Sequence, residues 1–369
     1  MNGILITMKL SEIIKKGNNN LDIFRLIAAL MVIYGHAYAI SPQEGKEDVL
    51  LHIIGFDYSG SLAVKIFFFL SGLVVTNSLM ANQNVVKFFI SRLFRIWPAL
   101  IVTVVFSSLV LGPLLTELSF LDYLSSREVY SYIYKNIFMD IQYSLPGVFV
   151  DNKRDAVNGS LWTIPYEVSA YLILVAAFML GVLKRKIFAS ILFLIIVAEP
   201  LFGNKILFTW ISADNREISM LAPCFAFGAI LAIWKDEIFI DRYSFLGVWI
   251  LFYFFRTSEF SFYFFYFSIF ISMLYISTTP FFIRLKPPFD ISYGVYLWAW
   301  PIQQVIARSF DYKGVLFNQL SSSILAIIMG LISWYVIEKK CIKAGVNFSV
   351  WLSDRWSNLR SNVAVKSDS

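Results

Sequence analysis

The chain has 369 residues, of which 58% are hydrophobic, 18% aromatic and only 15% charged, with a mean hydropathy of +0.68. Soluble domains hold roughly 45–50% apolar and about 25% charged residues, so this balance excludes an ordinary soluble enzyme and defines an integral membrane protein. The net charge of +6 is spread without the dense Lys/Arg stripe of a nucleic-acid-binding surface, and cytoplasmic loops of membrane proteins carry a basic excess of their own.

A bilayer-spanning helix needs about 20 mostly apolar residues. Ten segments answer to this, near 21–40, 61–80, 96–115, 160–181, 187–203, 218–234, 243–258, 260–279, 291–309 and 315–337. The sequence thus predicts an all-α polytopic membrane protein of about ten transmembrane helices. The first segment, LDIFRLIAALMVIYGHAYAI, is too long and too bulky at its end for a cleaved signal peptide and reads as the first anchor. It carries Arg25 and His36, eleven positions apart, which a helix places on one face about 16 Å apart along the axis. An ionisable group inside a span is costly and marks a functional site by default. The alternative is a snorkelling Arg and a His that packs or hydrogen-bonds against a neighbouring helix. His52, the other histidine, falls in a polar outer loop where it is solvated.

Farther along, FFFLSGLVV (67–75) places Ser71-Gly72 inside a span, where small residues let helices approach closely. FFISRLFRIWP (88–98) sets Arg92 and Arg95 three apart on one helical face. Two guanidinium forks there suit phosphate oxygens, whether of a ligand or of lipid headgroups. A loop of about 45 residues follows, 116–159, a length that marks a functional or a disordered segment. NGSLWTIPYEVSAY (158–171) begins the next span with interfacial aromatics and with Pro165 in its first turn, which leaves Glu167 as a carboxylate just inside the apolar region. Glu167 is open to pairing with a cation, orienting His36 or contacting a substrate hydroxyl.

Residues 243–279 are almost unbroken apolar sequence and fit either two helices with a tight turn or one long tilted helix. SYGVYLWAWPIQQ (292–304) combines a glycine, large aromatics and a kinking Pro301, the makings of an aromatic belt or of a platform for a sugar ring or pantetheine arm. The tail after Glu338 is too short for a second folded domain. Cys224 and Cys341 give no disulfide framework and no metal-ligand spacing, so no metal is expected.

With ten spans both ends share a side. The segments on that side hold most of the 31 Lys and Arg, including Lys9, Lys15, Lys16, Lys87, Arg92, Arg95 and the run Lys184-Arg185-Lys186, which puts both termini in the cytoplasm. The expected organisation is a cytoplasmic segment 1–20, a transmembrane domain 21–338 with the extracytoplasmic loop 116–159, and a cytoplasmic tail 339–369.

The ordered set Arg25-x10-His36, FFFLSG at 67–72, RLFR at 92–95, GSLWTIPYE at 159–167, SYGVYLWAWP at 292–301 and WYVIEKK at 334–340 resembles membrane acyltransferase family three, the polysaccharide and O-antigen O-acetyltransferase group. The resemblance covers about residues 20–340. It implies a ten-helix protein of the bacterial inner membrane that moves an acetyl group from cytoplasmic acetyl-CoA to a hydroxyl of a lipid-linked or surface carbohydrate, such as an exopolysaccharide. By resemblance His36 is the essential catalytic residue, Arg25 its companion, Arg92 and Arg95 engage the phosphates of CoA, and Glu167 is similar to a family carboxylate near the active cavity. Ala299 departs from the family pattern, because many relatives carry a histidine there. Some relatives also carry a fused extracytoplasmic hydrolase-like domain, which this sequence does not show, so the expectation is that it acts alone or with a separate partner.

A neutral His36 could take the proton of the attacking hydroxyl or could itself carry the acetyl group, and the sequence leaves both routes open. Two other function classes compete. A transporter or flippase for a lipid-linked glycan would show paired repeats or matched broken helices, which are not found. A non-catalytic assembly partner would tolerate loss of His36.

Overall fold

Apolar runs of membrane length fold as helices because a backbone polar group in lipid has to be satisfied within its own segment. The computed structural model describes residues 7–202 and 216–367, most of them helical. The principal helices are α1 Leu21–Ile40, α2 Ser59–Asn82, α3 Val85–Phe106, α4 Arg127–Ile137, α5 Ile164–Met179, α6 Lys186–Ala198, α7 Leu221–Ile233, α8 Arg242–Phe255, α9 Ser261–Ser277, α10 Ser292–Phe310, α11 Gly314–Ser333 and α12 Lys339–Ser367. Each apolar segment read from the sequence holds one of them, although residue 203 at the end of the fifth lies outside the described residues. Among the described residues five helical stretches are long and apolar enough to cross a membrane: Leu21–Ile40, Ser59–Asn82, Val85–Leu115, Gly159–Met179 and Ser292–Arg355. Helices α7, α8 and α9 are shorter apolar helices. The chain is a multi-pass helical membrane protein.

Three boundaries matter for the site. Helix α3 starts at Val85, where the Asn84 side chain caps it by accepting from Lys87 N at 2.9 Å, so the RLFR stretch lies inside the helix rather than before it. It runs on through a widened turn, Ser107–Leu111, where the Tyr123 hydroxyl donates to the Ser108 carbonyl at 2.8 Å. The 243–279 region is two helices, with Arg256 and Glu259 in the break between α8 and α9. Finally, α11 passes through a second widened turn, Trp334–Glu338, straight into α12. The segment expected as a tail is thus a continuous helix, and it packs on α3 with Phe348 against Phe94, ring centroids 6.4 Å apart.

The tightest helix crossing joins α2 and α7. A Cβ on Gly72 would lie 2.0 Å from the Phe225 carbonyl oxygen, and one on Gly228 would lie 2.2 Å from that of Phe69. The close approach read from Ser71-Gly72 is therefore present, with Gly228 as its counterpart. Phe69 then stacks on Phe270 of α9 at 4.2 Å. Near the same face an ion pair is fully buried, Lys65 Nζ to Asp57 at 2.9 Å, with Tyr266 donating to the same carboxylate at 2.7 Å. Pairing plus a hydroxyl donor satisfies the charges that apolar surroundings would otherwise penalise.

At one end of the bundle the N-terminal segment is tied to two connections. Strand β1 Met8–Lys9 pairs antiparallel with β2 Phe239–Ile240. The Asn20 amide donates to Phe282 O at 2.6 Å, and Lys286 Nζ donates to Asn19 O at 2.9 Å. At the other end the 116–159 loop contains a short helix, Phe120–Ser125, and α4. Its last residues are fastened to α10. Pro301 has no N–H to give to Leu297 O, four residues back, and the Asn158 amide takes that place at 2.9 Å. Trp300 Nε1 donates to Ala156 O at 2.8 Å, and the Gln304 amide donates to Arg154 O and Ala156 O at 2.7 and 2.6 Å.

Candidate active site

A cavity of about 430 Å³ opens between α1, α2, α3, α5, α10 and α12. Arg25, Arg92, Arg95 and Glu167, four of the five site residues expected from the sequence, all line it. They arrive there from three helices. Arg25 is in the first turns of α1, the two arginines of α3 are three residues apart on one face, and Glu167 is in the first turn of α5 after the 3₁₀ turn Gly159–Thr163.

The arginines are held differently. Arg95 reaches two carboxylates at once, Asp290 at 2.9 Å and Glu338 at 3.1 Å, and lies over the Tyr293 ring at 5.8 Å. Arg25 pairs with Asp22 at 3.0 Å and stands 3.9 Å from Asp290. Asp290 is itself fixed by Ser292, which donates its N–H and its hydroxyl to one carboxylate oxygen at 3.0 and 2.5 Å. Burial pushes the Asp290 carboxyl up, but Arg95, Arg25 and the Ser292 hydrogen bonds outweigh it and hold it below the usual carboxylate range. Glu338 is buried and accepts from Ser333 at 2.8 Å, an orientation made by the widened turn before α12. Arg92 has no carboxylate partner among the described residues; its guanidinium lies 5.9 Å from the Tyr171 ring centroid. Tyr171 donates to Glu167 and shares a hydrogen bond with Ser71 at 2.9 Å.

His36 is not in this wall. It is buried at 8% exposure one level farther along α1, with its ring against the edge of Trp300, centroids 4.8 Å apart. Its Nδ1 has no hydrogen-bond partner among the described residues, while Glu167 accepts from Tyr171. Glu167 instead belongs to the tyrosine and arginine set of the cavity. His52 is exposed and meets Glu47 at 2.6 Å. Among the described residues no group of His, Cys, Asp and Glu could hold a metal ion.

Asp290, Glu338, Tyr293 and the inner face of α12 were not singled out from the sequence. Two of them stood within reach: Asp290 lies two residues before SYGVYLWAWP, and Glu338 is inside WYVIEKK. Nearness to those two motifs is the one signal that pointed to them, since a carboxylate at the edge of an apolar run has no mark of its own.

Together the fold and cavity define a multi-pass membrane protein with a charged site sunk among its helices. The chain belongs to membrane acyltransferase family three, whose model, described as an acyltransferase domain, matches residues 18–339; it is an acyltransferase. It is similar to a protein of Shigella phage Sf6 named O-acetyl transferase, 28% identical over 88% of this chain and 96% of the relative. It is also similar to nodulation protein 10 of Rhizobium leguminosarum bv. viciae, 32% identical over 42% of this chain and 43% of that protein. No solved structure matches the chain.

Proposed function

We propose that this protein is an O-acetyltransferase of the bacterial inner membrane that takes acetyl from cytoplasmic acetyl-CoA and gives it to a hydroxyl of a lipid-linked or surface carbohydrate. The observation that carries the reading is the 430 Å³ cavity that gathers Arg25, Arg92 and Arg95 beneath His36 in a chain of this family. The name of the phage relative supports acetyl transfer to oxygen. The topology proposed with it has ten crossings and both termini in the cytoplasm, supported by the basic residues gathered on that side. Its parts are the segment 1–20, the transmembrane domain 21–338 with the outer loop 116–159, and the stretch 339–369.

Acetyl-CoA is too polar to cross lipid, while the acceptor lies on the far side. A cationic cavity open to the cytoplasm suits the donor's phosphates, with Arg92 the guanidinium left without a carboxylate and Arg25 and Arg95 the ones already braced. In the transfer, the acceptor oxygen attacks the thioester carbonyl, neutral His36 takes the hydroxyl proton, and the thiolate of CoA leaves and is protonated. The variant in which His36 first carries the acetyl group uses the same atoms in two steps. Glu167 serves either the donor arm or the acceptor hydroxyl.

The test uses inverted membrane vesicles with labelled acetyl-CoA outside, comparing wild type with His36→Ala at matched protein levels. Label is followed into hydroxylamine-sensitive glycan ester. Transfer by wild type and none by the variant is the expected result. Equal transfer by both makes His36 a packing residue and moves the search to Glu167.

A further inference from the structure

Donor cavity and His36 occupy successive levels of the same two helices. On α1, Arg25 lines the cavity and His36 lies eleven residues farther on. On α10, Ser292, Tyr293 and Tyr296 line the cavity, while Trp300, one turn beyond Tyr296, meets His36. Tyr296 is thus the last cavity residue of α10 before the His36 level. It is buried, and its hydroxyl is held twice: it shares a hydrogen bond with Thr163 Oγ1 at 2.7 Å and donates to Ser160 O at 2.7 Å. Phe67 of α2 meets the same ring edge-on at 5.9 Å. Beside and beyond this layer are two buried polar atoms with no partner among the described residues, Ser160 Oγ and His36 Nδ1. The backbone at Gly159 packs closely on the Trp300 ring, where an added Cβ would lie 2.6 Å from it.

We infer that Tyr296, latched to Thr163 and Ser160, is the gate between the cavity and His36. This inference rests on the acetyl-CoA reading above for its purpose, but not for its geometry. With the latch closed, a thioester in the cavity is kept from His36 and from water on the acceptor side. Rotation of the Tyr296 side chain breaks two hydrogen bonds and opens the cavity toward His36. Tyr296 is a positioning residue in this account: it holds no reacting atom and decides when the thioester and the imidazole meet. Its effect is to favour transfer over wasteful hydrolysis, in which water attacks the thioester and releases acetate and free CoA.

Two measurements on the full chain test this. In the first, His36→Cys in a Cys341→Ser background is labelled in inverted vesicles by a small anionic methanethiosulfonate added to the cytoplasmic face. Adding Thr163→Val, which deletes one bond of the latch, raises the labelling rate by up to about tenfold, and Tyr296→Phe, which deletes both and keeps the ring, raises it further. An unchanged rate in both variants overturns the gate. In the second, His36 is intact and labelled acetyl-CoA is supplied with and without acceptor. Tyr296→Phe raises acceptor-free acetate release relative to glycan transfer. Release and transfer falling together in proportion makes the latch mere packing and overturns the proposal. A wild type that neither transfers nor hydrolyses acetyl-CoA overturns the donor assignment, and the labelling rates still decide the gate.

Discussion

Arg95 is braced by two carboxylates that come from distant parts of the chain, 195 and 243 positions away. Of the two carboxylates Glu338 is the buried one, and removing it leaves part of the Arg95 charge uncompensated, which destabilises the site. Asp290 also makes the site sensitive to acid. Its folded carboxyl titrates below the ordinary range, so its stabilising effect is complete above the unfolded value of about 4 and fades as pH falls below it. The thermal midpoint of the detergent-solubilised protein should therefore hold from neutral pH to about 5 and drop below about 4. Asp290→Asn should flatten that drop, and an identical slope in the variant would assign the acid sensitivity to another group. The individual arginines and Glu167 were legible in the sequence because a charge inside an apolar run stands out. Their partners were not, because Asp290 and Glu338 sit at the edges of such runs, where a carboxylate passes for ordinary surface. The unpartnered state of His36 was beyond reach for a related reason: nothing in the order of residues says which side chains of other helices come to face a given position.

At the level of helices, the α2–α7 crossing is the sharpest constraint. Gly72→Ala puts a methyl group where the Phe225 carbonyl oxygen already is, so the two helices have to part. Overpacking of this kind costs about 1–3 kcal/mol. We expect a lowered thermal midpoint in detergent for Gly72→Ala, and none for Gly247→Ala, where a Cβ meets nothing within 4 Å. Equal midpoints would mean that α2 and α7 are free to separate. The small-residue signal at Ser71-Gly72 was readable in the sequence, but its partner Gly228, in LAPCFAFGAILAI, looks like any glycine of an apolar helix. The break within 243–279 was ambiguous because two charges can either end a helix or snorkel from a tilted one. Helix α12 went unread because its sequence is only weakly apolar, and it gains its place from the packing of Phe348 and Gly345 on Phe94.

For the molecule as a whole, that last helix closes the cavity from the side, with Ile342, Gly345, Val346, Ser349 and Val350 in its wall. A chain ended at Cys341 should insert normally and show a KM for acetyl-CoA raised about tenfold, equivalent to ~1.4 kcal/mol of lost binding. An equal rise in the KM for the glycan would report a general folding defect instead. The pairing of Met8–Lys9 with Phe239–Ile240, and of Asn19 and Asn20 with Lys286 and Phe282, carries a further consequence. Segments joined by hydrogen bonds cannot sit on opposite faces of a bilayer. The chain from residue 9 to residue 239, and again from 239 to 282, must therefore traverse the bilayer an even number of times. Four long stretches, α1, α2, α3 and α5, already lie in the first interval. Parity then binds the short helices in couples: α6 and α7 traverse together or not at all, and so do α8 and α9.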